Sequence, residues 1–198
     1  MNREGVIKYQ CERVSTPPIH FVGFEELNEV RNQLWAQGLI GVYPDGVGYG
    51  NVSVRCGQSR QFYISGSATG HLSELELAHY AKVVDFDVDR NWVKCEGPIQ
   101  ASSESMTHAA IYEADAAVGA VLHVHSEVLW KSLLYQVPTT ARHVEYGTPE
   151  MAREIMRLFR ETDLRERRTI AMAGHLEGVI TFGEIPGQSM KVLSRYVT

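Results

Sequence analysis

The sequence predicts a mixed α/β fold: a sheet containing antiparallel strand pairs, flanked by helices. Three observations predict it. Strand-like and helical patterns intermix without a regular β–α–β alternation. The apolar stretches 83–88 and 91–95 lie close enough in sequence to read as a hairpin. The chain has 198 residues with no repeat, low-complexity stretch or visible linker, which suits a single domain over 1–198 with a real core.

Each element has its own signal. Residues 14–19, with Pro17 and Pro18, read as part of an extended N-terminal arm over 1–20 that leads into the domain. Phe24, Leu27, Val30 and Leu34 recur at helical spacing, and Gly38 is a plausible stop. Turn residues follow (Pro44, Asp45, Gly46, Gly48, Gly50). Val52 and Val54 then alternate with Ser53 and Arg55 as in a strand, and residues 61–64 read as another, running into the small-residue segment 65–70. Residues 72–80 read as a short helix. Ser102 or Ser103 is placed to cap a helix that runs to about Ala114. The apolar run 118–124 is strand-like, and 128–134 is helical in pattern. Thr148 and Pro149 open a helix whose Met151, Ile155, Leu158 and Phe159 share one face. Residues 169–173 and 178–182 form a last strand pair, and 189–197 a last short helix.

Composition narrows the function classes. Net charge is −5 and the pI near 5.9, so neither nucleic acid nor an anionic membrane surface is an expected partner. Cys11, Cys56 and Cys95 are far apart with no CxxC pair, which argues against a disulfide framework or a cysteine metal site. The polar residues 1–10 do not read as a signal peptide, and no apolar run approaches the ~18 residues that span a bilayer. A reducing, cytoplasmic compartment is the expectation.

The residues that suggest chemistry begin with His123-Val124-His125. On a strand, side chains at i and i+2 share a face, so both imidazoles can converge on one ion. They close a very apolar run, where two histidines are costly unless their polarity is used. His175, beside Gly174, is a candidate third ligand. The same residues could instead be hydrogen-bonded core histidines. Glu104 stands at a helix start, where a carboxylate can act as general base near a metal or simply complement the helix dipole. Ser102 and Ser103 at that start, the turn 67–70 and Gly50-Asn51 offer hydroxyls and N–H groups to an anion, or serve as ordinary caps and turns. His71 and Arg55 are further possible anion contacts, and His143 a possible extra ligand or acid.

In combination, these pieces resemble the class II aldolase/adducin family. The match runs over roughly 24–183. Its parts, in order, are residues 50–55, Thr69-Gly70, Ser102-Ser103-Glu104 with His108 and Tyr112, Gly119 to Ser126 (GAVLHVHS), Gly147-Thr148-Pro149-Glu150, and Gly174-His175 with Gly178. The resemblance implies a three-layer α/β/α fold with a largely antiparallel central sheet. It implies a homotetramer with active sites at subunit interfaces. It implies a zinc site, or one for another divalent metal such as Mn²⁺ or Co²⁺, at His123, His125 and His175. It gives Glu104 the catalytic acid/base role, and Asn51, Thr69, Gly70, Ser102 and Ser103 the binding of a small, phosphorylated substrate.

The expected activity is that of a lyase cleaving a C–C bond through a metal-stabilised enediolate. Epimerases, dehydratases and decarboxylases of the family use the same site. A non-catalytic, adducin-like interaction module that keeps the metal for structure is a further alternative, although adducin-like heads lack the histidines. Two departures stand out. The stretch between Ser126 and Gly147 is short, and it is there that the family places a tyrosine acid. Tyr135 and Tyr146 flank it. His175 and Gly178 are also separated by Leu176-Glu177, where the family has an adjacent pair.

Overall fold

A computed structural model describes residues 6–197. Among these residues ten strands and six helices follow the chain: β1 (Gln10–Val14), α1 (Phe24–Ala36), β2 (Gly41–Val42), β3 (Gly48–Tyr49), β4 (Asn51–Arg55), β5 (Phe62–Ser65), β6 (Tyr80–Asp87), β7 (Trp92–Glu96), α2 (Ser105–Ala114), β8 (Ala120–His125), α3 (Glu127–Leu133), α4 (Pro149–Glu161), α5 (Leu164–Arg167), β9 (Thr169–Ala171), β10 (Gly178–Gly183) and α6 (Pro186–Leu193). Eight strands form one sheet in the order β1-β7-β6-β5-β4-β8-β10-β9, while β2 and β3 make a small separate hairpin. Within the large sheet every neighbouring pair is antiparallel except β1 with β7.

The period-2 geometry of a strand sends successive side chains to opposite faces, and here both faces are covered. Phe62, Ile64, Val121, Ile180 and Phe182 pack into one core with α2, α4 and α5 residues such as Met106, Ile111, Ile155 and Leu164. Tyr63, Leu122, Val124 and Val179 pack into a second core with Leu27, Leu34, Leu129 and Leu193 of α1, α3 and α6. Three layers result, as expected. Burial on both faces explains why β8 reads as a continuous apolar run rather than an alternation. Each fully buried Leu, Ile, Val or Phe stabilises by roughly 1.5–3 kcal/mol of transfer free energy.

The elements differ from the sequence reading in four places. Residues 72–80 hold only one 3₁₀ turn, Leu77–His79, because Tyr80 and Ala81 are already buried as the start of β6. Neither Ser102 nor Ser103 caps α2. Glu104 occupies the cap position without a side-chain cap bond, and Ser102 Oγ accepts from Glu104 N at 3.3 Å. The last helix starts earlier, at Pro186, whose fixed φ suits a first turn. The N-terminal arm is extended, but its residues 10–14 are a sheet strand, and Tyr9 Oη donates to the carbonyls of Ala101 and Ser102. Residues 1–5 of the arm lie outside the described residues.

Candidate metal centre

β8 lies between β4 and β10, near the middle of the sheet, and its register sets the site. Asn51 stands opposite His123, and Gly178 opposite His125. His123 and His125 share the face that Val121 turns toward α2. His175 comes from the turn between β9 and β10. Gly174 lets that turn close: a Cβ there would collide with the Val144 carbonyl oxygen.

The three imidazoles form a near-equilateral group. Ring centroids are 4.8 Å apart for His123–His125, 5.0 Å for His123–His175 and 4.8 Å for His125–His175. One candidate ligand nitrogen from each lies within 4.8 Å of the others. All three are buried. Burial, and then the neighbouring His125, His175 and His108, hold His123 well below the ordinary histidine range, so it is neutral and has a lone pair to give. Its Nε2 is buried with no hydrogen-bond partner among the described residues. A Cβ on residue 178 would sit 3.2 Å from that nitrogen, so a glycine keeps the space beside it open. A buried polar atom without a partner is expensive. Nitrogen donors, a neutral ring and an open space beside Nε2 fit a borderline metal such as zinc.

Glu104 sits beside this group. It is only 2% exposed, and its Oε1 is 3.6 Å from His175 Nδ1. The N-terminal cap position, rather than any capping bond, aims the side chain inward. A cavity of about 230 Å³ opens over Glu104, His123 and His175, and Asn51, Thr69, Gly70, Ser102 and Ser103 all line it. The structure therefore gathers every candidate substrate residue at one cavity, with His125 behind them. No lysine or arginine side chain lines it among the described residues. An anion there would be met by hydroxyls and N–H groups. The loop carrying Thr69 and Gly70 is pinned from α1, where buried Arg31 donates to the Thr69 carbonyl at 3.0 Å and Trp35 Nε1 to the Gly70 carbonyl at 3.0 Å.

The other anion candidates are elsewhere. Arg55 spends its guanidinium on the carbonyls of Val118, Tyr112, Asp115 and Ser59, at the opposite end of β4 from Asn51. His71 is exposed, with Nδ1 against the Ala68 carbonyl. His143 is an exposed surface residue.

A sequence model of the Class II Aldolase and Adducin N-terminal domain matches residues 25–196. The chain belongs to this family. Solved structures of similar fold include the L-fuculose-1-phosphate aldolase of Thermus thermophilus (TM-score 0.59, 23% identity, over 88% of this chain and 85% of that one). YgbL of Klebsiella pneumoniae, given the open description aldolase/epimerase/decarboxylase, aligns with TM-score 0.62 and 16% identity over 86% of this chain and 83% of its own. A sugar-phosphate aldolase of Thermotoga maritima aligns with TM-score 0.57 and 16% identity over 87% and 92%. At these identities they establish the fold alone. Among curated proteins, none matches the chain.

Within this class II aldolase/adducin fold, three residues at the site had no firm place in the sequence reading. Of the two tyrosines that flank the short stretch, Tyr146 lies at the cavity with its ring centroid 4.5 Å from that of His175, and Lys8 Nζ sits 3.9 Å from the Tyr146 centroid. Tyr135 is 66% exposed, beside residues 136–139 and Arg157 on another surface. Tyr43 reaches His125 from the turn after β2, and Glu177 reaches the Tyr43 hydroxyl from the β9–β10 turn. For Glu177 a signal existed, since the sequence marks Leu176-Glu177, between His175 and Gly178, as a departure from the expected adjacent pair. For Tyr43 there was none, because only the tertiary fold brings the β2–β3 hairpin over β8.

Proposed function

We propose that the protein is a metal-dependent lyase that cleaves a C–C bond of a small hydroxy-carbonyl sugar phosphate. The observation that carries this is the convergence of three buried imidazoles and a buried carboxylate at one cavity walled by hydroxyls and backbone amides. His123, His125 and His175 would hold a divalent ion, zinc or else Mn²⁺ or Co²⁺, which would supply a Lewis acid for negative charge developing on substrate oxygens.

The chain's own groups do the rest. Glu104 removes a substrate proton and returns it, its carboxylate held out of water at the cavity floor. Asn51, Thr69, Gly70, Ser102 and Ser103 hold the phosphate without a cationic side chain. Asn51 also orients His123. Its Nδ2 lies 3.3 Å from His123 Nδ1, and a half-turn of the amide places Oδ1 there to accept from Nδ1–H, which leaves the Nε2 lone pair for an ion. Tyr146, on the ring of His175, is the tyrosine positioned to serve as a second acid. Assembly as a homotetramer is part of the proposal.

The test begins with metal content. Roughly one ion per chain, lost in a folded His123→Ala/His125→Ala variant, supports the reading and leads to a screen of sugar phosphates for aldol cleavage. No binding of zinc, manganese or cobalt by the unaltered protein overturns it. Epimerisation or decarboxylation without cleavage would keep the centre and reassign the reaction.

A further inference from the structure

His125 is reached from behind by a two-residue chain. Tyr43, the first residue after β2, has its hydroxyl 2.7 Å from Glu177 Oε2 and 3.1 Å from His125 Nδ1. Proton counting fixes the roles. A phenol has one proton, and Tyr43 Oη donates it to Glu177 Oε2. If that proton went to the imidazole instead, two electron-rich oxygens would face each other at 2.7 Å with nothing between them. Tyr43 Oη is therefore an acceptor toward the ring, and the ring donates through Nδ1–H. His125 is then the tautomer whose lone pair is on Nε2.

A second, independent observation concerns Glu177. Its φ is +65°, in the left-handed region that glycine adopts freely and other residues rarely do. The turn it belongs to sets Leu176 and Glu177 between His175 and Gly178. A side chain kept at a strained backbone position points to a use for that side chain.

We infer that Tyr43 and Glu177 are positioning residues for the metal centre: Glu177 acts through Tyr43 to lock His125 in the Nδ1–H tautomer and to raise the basicity of Nε2. This rests on the proposed metal centre. A carboxylate that reaches a ligand imidazole through a hydroxyl does at one remove what a direct carboxylate–imidazole contact does. On this reading Glu177 supplies that carboxylate.

The experiment compares unaltered protein with Tyr43→Phe, Glu177→Gln, Glu177→Gly and the Tyr43→Phe/Glu177→Gln pair. Zinc affinity is read by competition with a chromogenic chelator, and the Tm of each metal-free protein is read alongside. Tyr43→Phe and Glu177→Gly are expected to weaken zinc binding about tenfold to a hundredfold. The metal-free Tm should hold, or rise for Glu177→Gly, where glycine relieves the strain. The double variant should bind no more weakly than Tyr43→Phe alone, since Glu177 acts only through the hydroxyl. Unchanged affinity in the single variants, with the unaltered protein binding normally, overturns the inference alone. Additive losses overturn it too, by showing that Glu177 meets the ion directly. Failure of the unaltered protein to bind zinc overturns the metal centre and this inference together.

Discussion

At the scale of single residues, the site sets groups with opposite demands side by side. Under the proposed function Glu104 moves a proton, whereas His123, His125 and His175 stay neutral to give lone pairs. Glu104→Gln keeps the shape and removes the base. Turnover is expected to fall by ~10²–10⁴ with metal content unchanged, and full activity in that variant would remove Glu104 from the mechanism. Beneath the centre, Ser53 Oγ lies 2.6 Å from His108 Nδ1 and 2.7 Å from Tyr112 Oη, all three buried. Ser53→Ala leaves two buried polar groups without their partner, and chemical denaturation should show a loss of about 1–3 kcal/mol. A loss below a few tenths would mean that water or a rotated side chain takes the place of the hydroxyl. The three clustered histidines and Glu104 were legible as candidates because His-x-His on a strand and a carboxylate at a helix start have fixed directions. Tyr43 was not, because a lone tyrosine in a turn carries no periodicity, and the turn's docking onto β8 depends on contacts far apart in sequence.

At the scale of elements, β8 and the β9–β10 turn divide the task of holding the three rings. The strand gives His123 and His125 their shared face through its register with β4 and β10. The turn owes its path to Gly174, whose missing Cβ makes room for the Val144 carbonyl. Gly174→Ala should therefore displace the turn and His175 with it. A destabilisation of about 1–3 kcal/mol is expected from overpacking, read by denaturant titration. Zinc affinity should fall in the same variant, and native affinity would show that His175 is not a ligand. Helices α1 and α4 were legible from periodicity and their flanking Gly38 and Thr148-Pro149. The segment 72–80 was misread because Leu72 and Leu75 stand three residues apart, as on one helix face, while Tyr80 and Ala81 already serve a strand buried in the sheet.

At the scale of the whole molecule, acid stability follows from what is buried neutral. Burial pushes His108 down to about 3 from an ordinary value of 6.5. Between those values the unfolded chain binds a proton that the folded chain refuses, so stability falls as pH falls, by up to about 1.4 kcal/mol per unit from this residue. His123 adds to the same trend, being held low by the same burial. The Tm of metal-free protein should drop steadily from pH 7 toward pH 4, and His108→Gln should flatten the slope. Parallel slopes would place the proton uptake elsewhere. The layering of the fold was legible only through resemblance, since mixed patterning does not say which strands adjoin. The parallel pairing of β1 with β7 was beyond reach because its partners are more than eighty residues apart. The unequal mounting of the three histidines also has a consequence in time. Two stand on an interior strand whose amide hydrogens exchange with solvent only when the whole sheet opens, whereas the third rides a turn with Leu176 53% exposed, which can open by itself. Deuterium uptake should be slow at Val124 and fast at Leu176, and the lifetime of any bound ion would follow the clock of the turn rather than that of the sheet.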